Sequence, residues 1–299
     1  MRFGDEREST NFDDLTGRSG GGLGGGLGGG GLGCLLPLVA SRFGIGGVIV
    51  LVIDYFILTS LGGLNTGGGG GGYAPATQQG ATSGQSNLDP RIKRFSLQVL
   101  ASTEDVWTNL LRGKSIQYTP TRLEFYSQEY PSGCGAAQSA MGPFYCPTDK
   151  KIYLDTEFFT ELSQRFQAPG DFAMAYVIAH EVGHHVQDLT GTLRQAEQLQ
   201  ARESETQGNA TQVKIELQAD CYAGVWAANA KAPDGQPVMQ PGDFEEGMRA
   251  AEAIGDDTLQ RETQGKVVPD SFTHGTSAQR MNALQTGYKS GNPDACASL

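Results

Sequence analysis

The chain has 299 residues, a formal net charge of −11 and 43 glycines. An acidic chain without a stripe of lysine and arginine lacks the positive charge that binds phosphate backbones, so we predict no nucleic-acid partner. The length is sufficient for one ordinary domain with extensions, and glycine is concentrated in the first quarter of the chain.

The first part of the chain is predicted to hold a membrane anchor between two glycine-rich segments. Residues 1–34 are polar and then almost pure glycine, which predicts a disordered tail. Residues 35–64 are apolar and long enough to cross a bilayer as one transmembrane helix, although Asp54 opposes insertion. Residues 65–88 are predicted to form a flexible linker, so residues 89–299 make up the folded domain.

The basic residues near the apolar stretch predict its orientation. Arg18 and Arg42 precede the most apolar part, and no basic residue follows until Arg91. The positive-inside rule then places the N-terminus in the cytoplasm and the domain outside it. We therefore expect a single-pass membrane protein with an extracytoplasmic domain.

The domain reads as a mixture of helices and a few strands. Asp171 is a predicted N-cap and Gly191 a predicted stop for one helix of the domain. The pattern of apolar residues predicts helices over 91–111, 212–230, 244–251 and 277–284, and strands over 123–126 and 151–155. This mixture predicts an α+β fold with a small sheet.

The helix between Asp171 and Gly191 contains three of the chain's four histidines. His180 and His184 are four residues apart in an H-E-x-x-H motif, so a helix directs both rings to one point, as two zinc ligands require. Glu181 is placed to act as the general base on an activated water. His185 points about 100° away from His184, and it is interpreted as a residue that packs or that supports a ligand rather than as a ligand itself.

A catalytic zinc needs a third protein ligand, and a carboxylate after the motif is the best candidate. Glu203 and Glu205 lie at a short spacing, but neither is followed by an acidic residue four positions later. Glu216 is followed by Asp220, so one helical face offers a metal ligand and an acceptor for the free N–H of a ligand histidine. We therefore predict His180, His184 and Glu216 as ligands of Zn²⁺, with Asp220 behind them.

Several segments together resemble the bacterial membrane-anchored neutral zinc metallopeptidase family. The shared segments are H-E-V-G-H from residue 180, E-L-Q-A-D-C-Y-A-G-V-W-A from residue 216, G-P-F-Y-C-P-T-D-K-K-I-Y-L-D from residue 142 and S-F-T-H-G-T-S-A-Q-R from residue 271. The resemblance implies a zincin-like fold of the gluzincin type, with Glu181 as the base. It also implies that His274 donates to the oxyanion and that residues 144–154 offer an edge to a peptide substrate. Arg280 either shares the role of His274 or neutralises a nearby carboxylate.

Four cysteines lie in the predicted outer domain, which allows three disulfide pairings. We favour Cys134 with Cys146, which closes a short loop, and Cys221 with Cys296, which ties the C-terminal tail to the helix of Glu216. Cys221 as a zinc ligand is disfavoured because it points about 140° from Glu216 on the helix. Cys34 is predicted to be free.

These patterns predict a zinc-dependent endopeptidase that acts on peptide or protein substrates. The alternative is a membrane-tethered, metal-stabilised peptide-binding module without turnover. Glu181 argues against the alternative, and so does the number of ligands, since a structural zinc site is normally closed by four protein ligands. A third and weaker hypothesis is a scaffold organised by the glycine-rich tail.

Overall fold

The structure is a computed structural model, and it describes residues 1–17, 86–138 and 142–297. Its strands are β1 (Phe12–Asp14), β2 (Arg122–Tyr126), β3 (Glu129–Ser132), β4 (Gly135–Gln138), β5 (Phe144–Cys146) and β6 (Lys151–Asp155). Its α-helices are α1 (Pro90–Arg112), α2 (Glu157–Gln164), α3 (Asp171–Thr190), α4 (Thr192–Gln200), α5 (Glu205–Asn229), α6 (Asp243–Ala253), α7 (Asp256–Gln264) and α8 (Ser277–Ser290). Short 3₁₀ turns cover Pro269–Ser271 and Pro293–Cys296. The predicted α+β class is confirmed.

The main sheet has four strands in the order β1-β2-β6-β5. β1, β2 and β6 are parallel, whereas β5 runs antiparallel to β6. β6 therefore lies inside the sheet, and its residues 151–155 are not at an edge. Of the residues 144–154 predicted to offer an edge to a peptide, only those of β5 lie at the end of the sheet order, so the prediction is wrong for residues 151–154.

α3 ends where the sequence predicts, but it begins with a different cap. Gly191 adopts a left-handed conformation with φ 78°, which stops the helix after Thr190. The N-cap position is Gly170 rather than Asp171, and the backbone N–H of Phe172 donates to Glu246 Oε2 at 3.0 Å. The Glu246 side chain of α6 thus accepts a hydrogen bond from an N–H group in the first turn of α3, which has no partner within α3.

α5 and α8 pack against each other with their backbones nearly in contact. A Cβ atom added at Gly224 would lie 2.1 Å from the carbonyl oxygen of Leu284, and one added at Gly287 would lie 1.9 Å from that of Cys221. Both helices need glycine at these positions because any side chain would force them apart. This close packing brings the start of α8 beside the middle of α5.

The first 17 residues are part of the domain, which corrects the prediction that residues 1–34 form a disordered tail. β1 pairs in register with β2, and Phe3 and Leu15 are buried. Leu88 is also buried, so the domain resumes within the predicted linker rather than at residue 89. Several polar side chains of this segment make hydrogen bonds to α1.

The carboxylate of Glu104, on α1, collects most of these hydrogen bonds. It accepts from Ser9 Oγ at 2.6 Å, from Asn11 Nδ2 at 2.8 Å and from Arg7 Nη1 at 2.9 Å. Glu104 is 6 % exposed, so it depends on these partners to replace water. The N-terminal segment and α1 therefore form one polar interface around a buried acid.

The predicted anchor of residues 35–64, the rest of the glycine-rich tail and Cys34 lie outside the described residues. Among the residues that the structure describes, no helix has the length and apolar character needed to cross a membrane.

The four other cysteines form the two favoured disulfides. Cys134 is bonded to Cys146 and Cys221 to Cys296. The first bond joins the loop between β3 and β4 to the end of β5, and the second ties the C-terminal turn to α5. Cys221 is therefore not available as a metal ligand.

We predict that Glu104→Ala lowers the free energy of unfolding by about 1–3 kcal/mol, because it leaves the buried hydroxyl of Ser9 and the amide of Asn11 without their acceptor. Urea unfolding of the full chain measures this loss. Asp105→Ala is the matched control, because Asp105 also binds Arg7 but its side chain is 58 % exposed. Equal losses in the two variants would contradict the role assigned to the buried interface.

Candidate metal centre

Three potential ligand atoms meet between α3 and α5. His180 Nε2 lies 3.2 Å from His184 Nε2 and 3.1 Å from Glu216 Oε2, and His184 Nε2 lies 3.5 Å from Glu216 Oε2. Ligands bonded to zinc at about 2.0–2.1 Å in a tetrahedron are about 3.3 Å from one another. The three predicted ligands are thus brought together at the spacing of a tetrahedral metal site.

The approach of the two helices depends on small residues. A Cβ atom added at Gly183, within the H-E-V-G-H segment, would lie 3.0 Å from the carbonyl oxygen of Ala219. That contact is tighter than side chains normally tolerate. Glycine at position 183 therefore lets α3 lie close enough to α5 for His180 and Glu216 to meet.

The ring of His180 is held from behind by Asp220, as predicted. His180 Nδ1 donates to Asp220 Oδ1 at 2.8 Å, so the lone pair on Nε2 faces Glu216. Arg280 binds both oxygens of Asp220, through Nε at 2.9 Å and Nη2 at 2.9 Å, and the Tyr176 hydroxyl donates to it at 2.6 Å. Of the two roles considered for Arg280, the structure shows the neutralisation of a carboxylate.

Two glutamines that the sequence analysis did not identify hold the other ligands. His184 Nδ1 donates to Gln187 Oε1 at 2.8 Å, and Gln212 Nε2 donates to Glu216 Oε1 at 2.9 Å. Both lie one helical turn from the ligand that they contact, and this spacing is the signal that could have identified them. Each ligand therefore has a partner that fixes its orientation.

The charges around the cluster favour a cation between the ligands. Burial lowers the pKa of His180, but Asp220 and Glu216 outweigh burial and raise it to about 10. Burial alone would raise the pKa of Glu216. The neighbouring histidines His184, His274 and His180 have a larger and opposite effect, so the pKa of Glu216 lies well below its ordinary value. The rings of His180 and His184 both have raised pKa values and lie beside the ionised Glu216. A metal ion that binds there would displace the protons of these rings.

Glu181 lies beside the cluster and has the environment expected of a base. It is 6 % exposed, and its burial raises its pKa above the ordinary value for glutamate. The two ligand histidines and a hydrogen bond from the backbone N–H of Tyr145 act in the opposite direction. A carboxylate with a raised pKa is a stronger base than an ordinary glutamate, which favours its acceptance of a proton from water.

His274 lies in the same cleft, on a loop that Asp256 shapes. Asp256 Oδ2 accepts from the backbone N–H groups of Thr273, His274 and Gly275 at 2.8, 2.6 and 3.0 Å. His274 Nδ1 lies 3.4 Å from Asp256 Oδ1. Burial lowers the pKa of His274, but Glu216 and Asp256 raise it above its ordinary value.

The remaining candidates lie away from the ligands. His185 Nε2 donates to the carbonyl oxygen of Thr119 at 2.6 Å and contacts the ring of Tyr145, which agrees with its interpretation as a packing residue. Glu203 accepts from Thr211 Oγ1 at 2.8 Å. Among the described residues, the group with metal-ligand geometry contains His180, His184 and Glu216 but neither Glu203 nor Glu205.

The cluster opens into a cleft of about 630 Å³. Its walls come from β5 on one side and from α2, α4 and α7 on the others. Much of the lining is apolar, and it includes Phe144, Phe158, Phe166, Leu193, Ile215 and Leu259. A cleft of this size is sufficient for several residues of an extended peptide.

Comparison with known proteins agrees with this geometry. The family described as "Putative neutral zinc metallopeptidase" matches residues 1–299. The chain belongs to this family. It is 42 % identical over 296 residues to the uncharacterized protein YpfJ of Escherichia coli K12, across 99 % of this chain and 98 % of that protein.

Mycobacterial relatives match a shorter part of the chain. The uncharacterized proteins Mb2605 of Mycobacterium bovis and Rv2575 of Mycobacterium tuberculosis are each 44 % identical over 204 residues, which is 65 % of this chain and 66 % of each relative. No solved structure is significantly similar to the chain. The family membership fits the cluster of two histidines and one glutamate, which could hold a metal ion.

We predict that Glu216→Ala abolishes metal binding, because two histidines alone do not retain a catalytic metal. Glu203→Ala is the matched control and should keep the metal, since Glu203 contacts Thr211 rather than the cluster. Zinc per chain, measured by atomic emission after dialysis, distinguishes the two variants. Loss of zinc from Glu203→Ala with retention in Glu216→Ala would move the ligand to the shorter spacing.

The loop of His274 should show its own pH dependence. Burial raises the pKa of Asp256, but the hydrogen bonds and charge of His274 and the backbone N–H groups lower it below its ordinary value. The pKa of an aspartate in the unfolded chain is about 3.9, and the pKa of Asp256 in the folded protein is lower. The ionised Asp256 therefore stabilises the fold fully above about pH 3.9, and this stabilisation is lost as the pH falls through the folded-state pKa.

We therefore expect Asp256→Asn to lower the free energy of unfolding by about 1–3 kcal/mol at pH 7, and we expect this deficit to shrink as the pH falls below about 4. Urea unfolding of both proteins across this range is the measurement. Asp270→Asn, at an exposed position nearby, should leave the pH profile unchanged. A deficit of the Asp256→Asn protein that does not vary with pH would contradict this account.

Proposed function

We propose that the protein is a zinc-dependent endopeptidase whose base is Glu181. The observation that carries this proposal is a ligand set of two imidazoles and one carboxylate with a buried glutamate beside it. Three protein ligands leave the fourth position of a tetrahedral zinc open, which is typical of catalytic rather than structural sites. The family membership supports the same activity.

The donor atoms fit zinc better than they fit calcium or magnesium. Two neutral imidazole nitrogens with one carboxylate oxygen suit Zn²⁺, whereas calcium and magnesium favour sites built of oxygen. When bound, zinc would supply Lewis acidity to a water and to the carbonyl group of the substrate. His180, His184 and Glu216 would hold it.

The reaction then requires proton transfers that this chain's own side chains can perform. A water molecule adds to the carbonyl carbon of the peptide while Glu181 takes one of its protons. Glu181 passes that proton to the departing nitrogen, and the C–N bond breaks to give a carboxylic acid and an amine. The second proton of the water remains on the new carboxyl group, which then loses it to the amine or to the solvent. The backbone N–H of Tyr145 holds the Glu181 carboxylate in place during both transfers.

His274 is proposed to stabilise the negative charge that develops on the carbonyl oxygen. It lines the same cleft as the cluster, and Asp256 fixes both its backbone and its ring. The raised pKa of His274 favours a protonated ring, which donates a strong hydrogen bond to an oxyanion.

The substrate is proposed to be a peptide bound in extended form along β5. β5 has β6 on one side, and residues Gly142, Pro143, Phe144 and Tyr145 line the cleft on the other. An extended peptide can add to such an edge through main-chain hydrogen bonds. The backbone of the peptide would then run past Glu181 because Tyr145 contacts that carboxylate.

We expect Glu181→Gln to keep one zinc per chain and to lose peptide hydrolysis, because the amide cannot accept the proton of the attacking water. Zinc content and cleavage of casein and of a mixed peptide library, followed in the same samples of the full chain, test this. Glu197→Gln is the matched control, since Glu197 lines the cleft but is exposed.

The outcomes separate the candidate functions. Hydrolysis in wild type and Glu197→Gln but not in Glu181→Gln would support the peptidase. An active Glu181→Gln protein would remove Glu181 from the mechanism. Zinc in every sample with no cleavage by wild type would favour the metal-stabilised peptide-binding module.

A further inference from the structure

We propose that Gln187 is the positioning residue that fixes His184 and Glu216 relative to each other and thereby sets the affinity for the metal. This inference rests on the proposed zinc site but concerns a residue outside the ligand set. Gln187 lies on α3, three residues after His184, and its side chain is fully buried.

The contacts of Gln187 fix which end of its amide faces the histidine. Its Nε2 donates to the carbonyl oxygen of Ile215 at 2.8 Å and to Gln218 Oε1 at 3.0 Å. Because both neighbours are acceptors, they require the NH₂ group on that side. The amide oxygen must then face His184 Nδ1, which lies 2.8 Å away.

This orientation determines the form of His184 that meets the metal. An acceptor at Nδ1 holds a proton on that nitrogen and leaves the lone pair on Nε2, the atom that faces His180 and Glu216. An amide turned the other way would place donors against Nδ1 and favour the tautomer that cannot bind. Gln187 therefore selects the binding tautomer without adding a charge.

The same amide connects two of the three ligands. Ile215 directly precedes Glu216, so the bond from Gln187 to the Ile215 carbonyl fixes the backbone of α5 where the third ligand begins. The bond to Gln218 adds a second attachment to the same turn. One side chain thus holds a ligand on α3 and the ligand-bearing turn of α5 together.

The contrast with His180 shows why an amide suits this position. The partner of His180 is the carboxylate of Asp220, whose charge Arg280 balances. Among the described residues, no arginine or lysine donates a hydrogen bond to the Gln187 side chain, and its two other hydrogen-bond partners are oxygen atoms. A carboxylate at position 187 would face these oxygens with no proton to donate, so glutamate cannot replace glutamine there.

The test compares zinc binding by the full-length protein carrying Gln187→Met, Gln187→Glu or the matched control Gln98→Met. Gln98 is also buried, on α1, and its amide donates to the carbonyl oxygens of Gly4 and Glu6 rather than to a group of the cluster. The zinc dissociation constant is measured by competition with a chromophoric chelator. The visible absorption spectrum of the cobalt-substituted protein reports the ligand geometry, and circular dichroism checks folding.

We expect Gln187→Met to weaken zinc binding about 10–100-fold and to change the cobalt spectrum, as loss of a residue that orients a ligand does. Gln187→Glu should weaken it as well, because it keeps an acceptor for His184 but loses both bonds to α5. Gln98→Met should bind zinc as wild type does, even where it lowers stability. If Gln187→Met does not fold, Gln187→Glu decides the question.

Wild-type affinity and an unchanged cobalt spectrum in a folded Gln187 variant would overturn the inference and leave the proposed peptidase intact. Equal weakening by Gln98→Met would also overturn it, because the effect would then come from general destabilisation. Absence of zinc binding by wild type would instead overturn the proposed function and this inference together.

Discussion

The carboxylate of Asp220 is fully buried and accepts hydrogen bonds from Tyr176 and His180 on α3 and from Arg280 on α8. Arg280 also reaches the carbonyl oxygen of Ile254 at the end of α6. Removing one partner of a buried ion pair costs about 3–5 kcal/mol because a charge is left without compensation. Asp220, which orients His180, therefore connects α5 to α3 and α8 directly and to the end of α6 through Arg280.

This arrangement joins the stability of the fold to the geometry of the site. The pKa of Asp220 would rise with burial, but Arg280 and His180 lower it to about 2, so the carboxylate remains ionised at any physiological pH. An ionised Asp220 always accepts from His180 Nδ1 and always leaves Nε2 facing the cluster. The glycine contacts between α5 and α8 are what allow Arg280 to come close enough to balance that charge.

The sequence alone predicts most of the site because its residues lie in pairs that are one helical turn apart. His180 and His184 share one face of α3, and Glu216 and Asp220 share one face of α5. Chemistry then restricts which residues at those positions can bind a metal. The boundaries of strand 151–155 and the end of α3 at Gly191 are predicted equally well, because local apolar alternation and a left-handed glycine determine them.

What sequence reasoning misses depends on contacts between distant parts of the chain. Nothing near Gln187 indicates that its amide bonds to the carbonyl of Ile215, twenty-eight residues later. The role of Asp256 requires the fold to bring the start of α7 beside the loop of residues 273–275. The charges of residues 1–17 match the composition of a disordered tail, whereas the segment is held in place by Glu104, some ninety residues away, and by the pairing of β1 with β2.

The two ends of the segment between residues 17 and 86 meet at one point on the surface. Ser86 Oγ donates to Asp14 Oδ2 at 2.7 Å, and the backbone N–H of Asn87 donates to Thr16 Oγ1 at 3.2 Å. A short turn could therefore replace residues 18–85 without moving β1, and each halving of that connection removes about 0.6 kcal/mol of closure entropy. The domain can then be prepared without residues 18–85 while it retains its first strand, which a simple truncation at residue 89 would delete.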